Sequence, residues 1–340
     1  MASKLQNKKL YFLGLGASNI SAAKNLSQTN EIFVYDDKIS ELADFNFIHY
    51  NDIDFSSIDY LVATPAIPTT YPKPHPAIKL ALKHNVKIIG DIELYFMQFN
   101  RLPKIIAITG TNGKSTTTSL IYHLLSQTLS NKIYVGGNIG TSVFEIPIDE
   151  SAYYVIEMSS FQLELLSELE FDYSVLLNIT PDHLDRHKDL EGYVKAKMRI
   201  FYKKKLNNIA IICSDSPIAY NIFDSLENQK IKYNSDEIKE GDKGLYYKSF
   251  LILNNLLEPK KFSNPQNLIA ALIIAEMEGV DLSLVQPIIE KFKPLEHRFE
   301  KVITYDNITI YNDSKATNAE STENALKQLD NIYWIAGGIP

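Results

Sequence analysis

An apolar run, Lys104-Ile105-Ile106-Ala107-Ile108, leads straight into Thr109-Gly110-Thr111-Asn112-Gly113-Lys114-Ser115-Thr116, and a helical pattern follows. Those residue types in that order suit a phosphate group. Glycines let backbone N–H groups turn inward around phosphate oxygens, and the helix N-terminus behind them adds a favourable dipole. Lys114 would neutralise charge on β- and γ-phosphates, while the Ser115 hydroxyl would reach a magnesium ion. The spacing departs from the general G-x-x-x-x-G-K-[ST] pattern, because Ile108 stands where its first glycine belongs. A structural glycine turn is the alternative; the phosphate loop is the better account.

Other groups with chemical capacity sit after apolar runs. Glu157-Met158-Ser159-Ser160-Phe161-Gln162 is one, and Asn178-Ile179-Thr180-Pro181-Asp182-His183-Leu184-Asp185-Arg186-His187 is another. In a parallel sheet, residues just past strand ends gather at the edge that holds the phosphate loop. Glu157 and His183 are therefore candidates to ligate a metal beside the phosphates. Alone, a strand-end Glu and a single His are ordinarily caps or satisfied polar groups, and the phosphate loop tips the reading toward a metal. Gly14-Leu15-Gly16-Ala17-Ser18-Asn19 resembles the dinucleotide fingerprint, with Asp36 beyond it, but Asn19 replaces the third glycine. A tight strand-to-helix turn explains it about as well as a diphosphate site does. Lys195, Lys197 and Arg199 fall on a helical segment, and Lys203-Lys204-Lys205 reads as a solvated face. Residues 295–300 and 312–318 are polar clusters bracketing two strands. Sequence physics alone does not choose between loop and site there.

These groups need a scaffold. Over the first ninety residues, short apolar runs at 10–13, 32–35, 60–63 and 86–89 alternate with helix-like segments such as 20–26 and 77–82. That rhythm predicts βαβ units and a parallel sheet. Pro65, Pro68, Pro72, Pro74 and Pro76 predict an extended loop, since proline is excluded from helix interiors. A second cycle opens at residue 104, with strands expected at 133–135, 153–156, 174–177 and 209–213. Residues 220–262 are lysine- and asparagine-rich with hairpin-like pieces, and 266–277 has helical character. A third unit begins near Pro294, with strands expected at 301–304, 308–311 and 333–336.

The chain has 340 residues, which at roughly 150 per domain argues for two or three domains. Hydrophobic residues make up 45% and charged residues 22%, a globular balance. Lysine and arginine number 34 against 41 acidic residues, a net charge of −7, so nothing favours nucleic acid as a partner. The single cysteine, Cys213, forbids an internal disulfide and a cysteine-based zinc site. No apolar run approaches the ~18 residues of a membrane helix, and the start has no signal-peptide pattern. A soluble, cytoplasmic protein without a membrane association is expected.

Taken together, TGTNGKST, EMSSFQ, NITPDHLDRH, HRFE and NDSKATN resemble the motifs of the ATP-dependent amide ligases of peptidoglycan precursor synthesis, in that family's order and at about its spacing. NDSKATN is similar to the segment of the D-glutamate-adding member. The resemblance covers nearly the whole chain. It implies an α/β fold in three parts: an N-terminal Rossmann-like domain for the UDP-linked substrate (1–97), a central P-loop ATPase-type α/β domain (98–294), and a C-terminal Rossmann-like domain (295–340). The third is expected to be incomplete, because the family's runs on well beyond Pro340.

The resemblance also implies roles. ATP and Mg2+ would be the cofactors, and UDP-N-acetylmuramoyl-L-alanine and D-glutamate the substrates, bound by a monomer. Gly110, Thr111, Asn112, Gly113, Lys114, Ser115, Thr116, Asn264, Asn267, Arg298 and Asp313 would face the nucleotide. Ser18, Asp36, Asp37, Lys38 and Thr64 would hold the uridine diphosphate end, while Asn138 and Ser159 would contact the muramoyl part. Lys315 and Thr317 would lie toward D-glutamate. Ser115, Glu157 and His183 would carry magnesium, and His183 is also a candidate for handling the amine proton. Lys197 matches the lysine that this family carbamylates, which would turn a cation into a helper for a second magnesium. Ser263 stands where the family has histidine. A folylpolyglutamate synthase-like ligase, and a nucleotide-binding fragment without ligase activity, are the competing readings.

Overall fold

A computed structural model describes residues 5–39, 41, 44–202, 208–254, 264–293, 295–327 and 329–337. The first sheet is built from β1 (Lys9–Leu13), β2 (Glu31–Tyr35), β3 (Asn46–Phe47), β4 (Tyr60–Ala63) and β5 (Lys87–Ile89). Its strands are all parallel, in the order β3-β2-β1-β4-β5. α1 (Ala17–Leu26) and α2 (Pro76–Lys83) make crossovers, and α3 (Asp91–Phe96) follows β5.

The central sheet contains β6 (Lys104–Thr109), β7 (Ile133–Gly137), β8 (Tyr153–Glu157), β9 (Tyr173–Leu176), β10 (Ile209–Cys213) and β11 (Gln229–Tyr233). It is parallel throughout, in the order β11-β10-β9-β6-β8-β7. β6 lies inside it and reads as a continuous apolar run because both of its faces are covered. α4 (Lys114–Thr128), α5 (Ser160–Glu164), α6 (Leu184–His187), α7 (Leu190–Met198) and α8 (Pro217–Ser225) surround it, and α9 (Pro265–Met277) packs against α4. An antiparallel meander, β12 (Ile238–Gly241), β13 (Gly244–Tyr247) and β14 (Phe250–Asn254), sits beside α10 (Gln286–Lys291). β15 (Glu300–Tyr305) and β16 (Ile308–Asn312) form a hairpin, followed by α11 (Ala319–Leu326).

Three local expectations change. Pro76 does not belong to the extended loop; it is the first residue of α2, where the absent N–H has no helical partner to lose. Within the lysine-rich stretch the hairpin pieces lie at 238–254, while residues 229–233 are β11, a parallel edge strand whose Lys230 donates to the Phe223 carbonyl at 2.8 Å and whose Lys232 lies 4.6 Å from the Tyr220 ring centre, both against α8. Residues 333–336 form no strand: Tyr333 and Ile335 are 93% and 96% exposed, and among the described residues no strand pairs with them. The lysine triplet at 203–205, Ser263 and Pro294 lie outside the described residues.

Candidate active site

Four strands of the central sheet end at one edge: β6 at Thr109, β7 at Gly137, β8 at Glu157 and β9 at Leu176. Ile108 is in register with Glu157, and Thr109 with Leu176. Parallel strands collect their C-terminal loops on one side, where a ligand can be held by backbone and by side chains from several strands. The glycine loop leaves β6 here and turns into α4. Gly113 has φ +84°, and a Cβ on it would lie 2.2 Å from Asn267 Oδ1. Both the left-handed backbone and the close approach of α9 demand glycine.

Lys114 and Lys197 converge beneath that loop. Lys114 Nζ donates to the carbonyls of Gly110 at 2.9 Å and Thr111 at 2.8 Å. Lys197, on α7 and 1% exposed, donates to the Gly110 carbonyl at 2.8 Å and lies 4.6 Å from the centre of the Tyr193 ring. Burial first, and then the charge of Lys114, hold the Lys197 amine well below the ordinary lysine value. Burial also lowers Lys114, against an opposing pull from Glu157.

The loop is braced from β9. Asn178 Oδ1 accepts the Asn112 N–H at 2.8 Å, and its Nδ2 donates to the Asn112 carbonyl at 3.1 Å and to Gln266 Oε1 at 3.2 Å. The Thr111 hydroxyl meets the Tyr193 hydroxyl at 3.1 Å and accepts the Thr180 N–H at 3.0 Å. Thr116 lies in the first turn of α4 and is half-buried.

Glu157 is 2% exposed. Its Oε1 accepts from Asn138 Nδ2 at 2.9 Å, while Oε2 is buried with no hydrogen-bond partner. An unpaired buried carboxylate oxygen is costly, and a cation would complete it. His183 has φ +51°, is half-exposed, and packs its ring 5.0 Å from Phe161 and 6.4 Å from Tyr193. Among the described residues no three His, Cys, Asp or Glu side chains form a ready metal cluster. Ser159 is engaged locally: it caps α5 through a reciprocal pair of hydrogen bonds with Gln162.

The segment after residue 295 reaches this edge. Arg298 Nη2 donates to Ser115 Oγ at 2.9 Å, and Asn318 Nδ2 donates to Asn112 Oδ1 at 2.9 Å. Asp313 accepts the Phe299 N–H at 2.8 Å, and burial raises its carboxyl above the ordinary range. Lys315 and Thr317 are exposed. Asn264 caps α9 by accepting the Gln266 N–H at 2.9 Å, and the buried Asn267 Oδ1 has no hydrogen-bond partner.

The remaining expected residues group at the edge of the first sheet. A Cβ at Gly14, φ +84°, would lie 2.3 Å from Thr64 Cγ2. Asn19, in place of a third glycine, donates to the Gly14 carbonyl at 2.8 Å and so staples the turn. Asp36 accepts the N–H groups of Leu15 and Lys38, each at 2.8 Å. Burial would raise its carboxyl, but these amides outweigh it and the net effect is to lower it. His75 Nδ1 accepts the Ala77 N–H, so its Nε2 carries the proton toward Asp37 Oδ2 at 3.1 Å. Lys38 is exposed, and Ser18 hydrogen-bonds the buried Asp91 carboxyl.

Sequence reasoning gave no role to Asn178, Tyr193, Gln266, Asn318 or Arg186. Arg186 pairs with Glu164 at 2.7 Å and donates to the Tyr71 carbonyl at 3.1 Å, joining the proline loop to α5. Asn178, Arg186 and Asn318 sit inside the polar motifs already noted; Gln266 has no local signal.

Residues 108–258 match the Mur ligase middle domain. The chain is 37% identical to a UDP-N-acetylmuramoylalanine--D-glutamate ligase of Rickettsia bellii (strain RML369-C), over 96% of this chain and 75% of that one. It is 38% identical to the enzyme of that name from Rickettsia prowazekii (strain Madrid E), over 98% and 78%. Among solved structures it superposes on UDP-N-acetylmuramate-alanine ligase from Thermotoga maritima with a TM-score of 0.57 and 20% identity, covering 94% of this chain and 77% of that one. A MurF ligase from Thermotoga maritima in complex with ADP gives 0.57 at 15% identity, covering 96% and 75%. These structures share the α/β fold, and the sequence relatives are close enough to place the chain. It belongs to the UDP-N-acetylmuramoylalanine--D-glutamate ligase family of the ATP-dependent Mur ligases.

Proposed function

We propose that this chain joins D-glutamate to UDP-N-acetylmuramoyl-L-alanine at the expense of ATP, in peptidoglycan precursor synthesis. The observation that carries the site assignment is the convergence of Lys114 and Lys197 on the Gly110 carbonyl, under a glycine loop at the strand-end edge. The relatives support the substrates by their names. No observation favours the folylpolyglutamate synthase-like alternative.

A carboxylate is a poor electrophile, and ATP overcomes this. An oxygen of the L-alanyl carboxylate attacks the γ-phosphorus, the bond to the β-phosphate oxygen breaks, and ADP leaves. Lys114 would leave its loop carbonyls to offset charge on the transferring group, and the loop amides would orient it. The free amine of D-glutamate then attacks the acyl carbon. The tetrahedral adduct gives up a nitrogen proton, for which His183 is the candidate acceptor, and expels inorganic phosphate, leaving the amide. Lys315 and Thr317 would face the incoming amino acid, with Arg298, Asp313, Asn264 and Asn267 on the nucleotide. Ser18, Asp36, Asp37, Lys38 and Thr64 would take the uridine diphosphate end; Asn138 and Ser159 would face the muramoyl group.

The orphaned Glu157 Oε2 fits a magnesium site. Ser115, Glu157, His183 and a carbamylated Lys197 would hold the ions, which when bound supply Lewis-acid stabilisation of phosphate charge. Carbamylation needs a neutral amine: nitrogen attacks carbon dioxide, a carbamate forms and a proton leaves. The buried environment of Lys197 favours that neutral form. A monomer is the proposed working form, and ATP and a UDP-linked sugar point to the cytoplasm. No described helix is long and apolar enough to cross a membrane. The test is phosphate release from ATP with UDP-N-acetylmuramoyl-L-alanine, with and without D-glutamate. Sustained release only when all three are present supports the reading; indifference to D-glutamate overturns it.

A further inference from the structure

Asn112, in the phosphate loop, is held from two sides by side-chain amides. Asn178 grips its main chain in both senses, accepting from N–H and donating to C=O. From the other side comes Asn318, whose Nδ2 donates to Asn112 Oδ1 at 2.9 Å across 206 positions of sequence. The orientation of the Asn318 amide follows from its other end: Oδ1 accepts the Ser321 N–H at 3.0 Å and caps α11. Beyond Asn178 the line continues through Gln266, whose Nε2 donates to Asp215 Oδ2 at 2.7 Å. One run of hydrogen bonds therefore joins α11, the phosphate loop, β9, α9 and the end of β10. Lys315 and Thr317 lie immediately before Asn318 on the same segment.

We propose that Asn318 is a positioning residue that couples nucleotide at the phosphate loop to the segment 315–317, so that the amino acid is aligned when the loop is filled. This deepens the function proposed above and rests on it for the identity of the amino acid. Earlier in the same C-terminal stretch, Arg298 donates to the Ser115 hydroxyl. That hydroxyl is assigned to a cation, which would compete with Arg298 for its lone pairs. The Asn318 contact is made to the Asn112 side chain, so a phosphate held by the backbone N–H groups of the loop leaves it in place.

The variant that tests this is Asn318→Ser. Serine still caps α11 but is too short to reach Asn112. Hydrogen exchange at residues 312–327 is followed in the full chain with and without a non-hydrolysable ATP analogue, and KM values for ATP and D-glutamate are measured beside it. The analogue should slow exchange there in the wild type and lose that effect in the variant. The D-glutamate KM should rise about tenfold while the ATP KM stays within about twofold. Equal protection in both proteins, an unchanged D-glutamate KM, or a wild type that binds the analogue without protecting this segment overturns the coupling. Failure of the wild type to bind the analogue at all would overturn the ATP-dependent reading and the coupling with it, a result that binding alone distinguishes.

Discussion

Lys114 and Lys197 donate to one acceptor, the carbonyl oxygen of Gly110, at 2.9 and 2.8 Å. Two ammonium charges drawn to one oxygen repel, and the repulsion is strong where water is excluded. Burial lowers both amines, and the charge of Lys114 adds to the lowering at Lys197. Together these push Lys197 toward its neutral form, the form that the proposed carbamylation needs.

Lys114→Ala removes the cation proposed to face phosphate, without opening the core. ATP-dependent turnover should fall about a hundredfold or more, the equivalent of roughly 3 kcal/mol at a dry site. Far-ultraviolet circular dichroism and the unfolding midpoint should stay near those of the wild type. Near-normal turnover in this variant would remove the phosphate-loop assignment.

For Lys197, pH supplies the readout. Between its depressed value in the folded chain and the ordinary lysine value of 10.5, the unfolded chain holds the additional proton. Stability therefore rises with pH across that window. Lys197→Met, which keeps an apolar stem, should unfold at a higher temperature than the wild type at about pH 7, with the gap narrowing as pH approaches about 9.5. The variant should be nearly inactive, and a small carboxylate added to Lys197→Ala should restore part of the activity. A pH-independent gap in midpoint would contradict the buried neutral amine.

Glu157→Gln replaces a carboxylate whose Oε2 has no hydrogen-bond partner. The magnesium concentration for half-maximal turnover should rise at least about tenfold. Without magnesium the variant should be no less stable than the wild type, since a buried charge has been neutralised. Magnesium titration of turnover and of the unfolding midpoint checks both halves. An unchanged magnesium requirement argues against Glu157 as a ligand.

Gly113→Ala should cost about 1–2 kcal/mol from the left-handed backbone alone, with a further loss from collision with Asn267. Asn267→Ser withdraws the colliding atom. Denaturant melts of the two single variants and the double should show the double less destabilised than their sum, by about 1 kcal/mol. Strict additivity would mean that the loop, rather than α9, absorbs the new methyl group.

The strands were legible because parallel strands buried on both faces read as uninterrupted apolar runs: β10 lies at 209–213, as its five apolar residues announce. Pro76 was misread because its position relative to a helix start, rather than its type, decides its effect. No strand was expected at 229–233 because lysines interrupt its apolar run, and the fold accommodates them by laying Lys230 and Lys232 over Phe223 and Tyr220 of α8. Within the site, the glycine loop and Glu157 stand beside strand ends where chemistry can interpret them, whereas Lys197 was singled out only by the family resemblance. The role of Asn178 is different in kind. It depends on gripping both sides of the Asn112 peptide from a separate strand, and Asn318 reaches the same residue from 206 positions away. Such pairings exist only once the chain has closed on itself.

The residues of α3 connect the first sheet to the central one through a shared cluster of rings. Tyr95 packs edge-on to Phe96, Phe99 and Phe144 at 5.1 to 5.5 Å, while Phe96 and Phe99 both press on Tyr154 of β8. Leu10, Phe12 and Val34 of the first sheet belong to the same continuous core as Ile105, Ile156 and Ile212 of the central one. The seam between the first sheet and the central sheet is thus one continuous apolar interface. Melting one exposes the other's inner face, so the pair is a single cooperative unit. A ligand gripped by either sheet lends its binding energy to both.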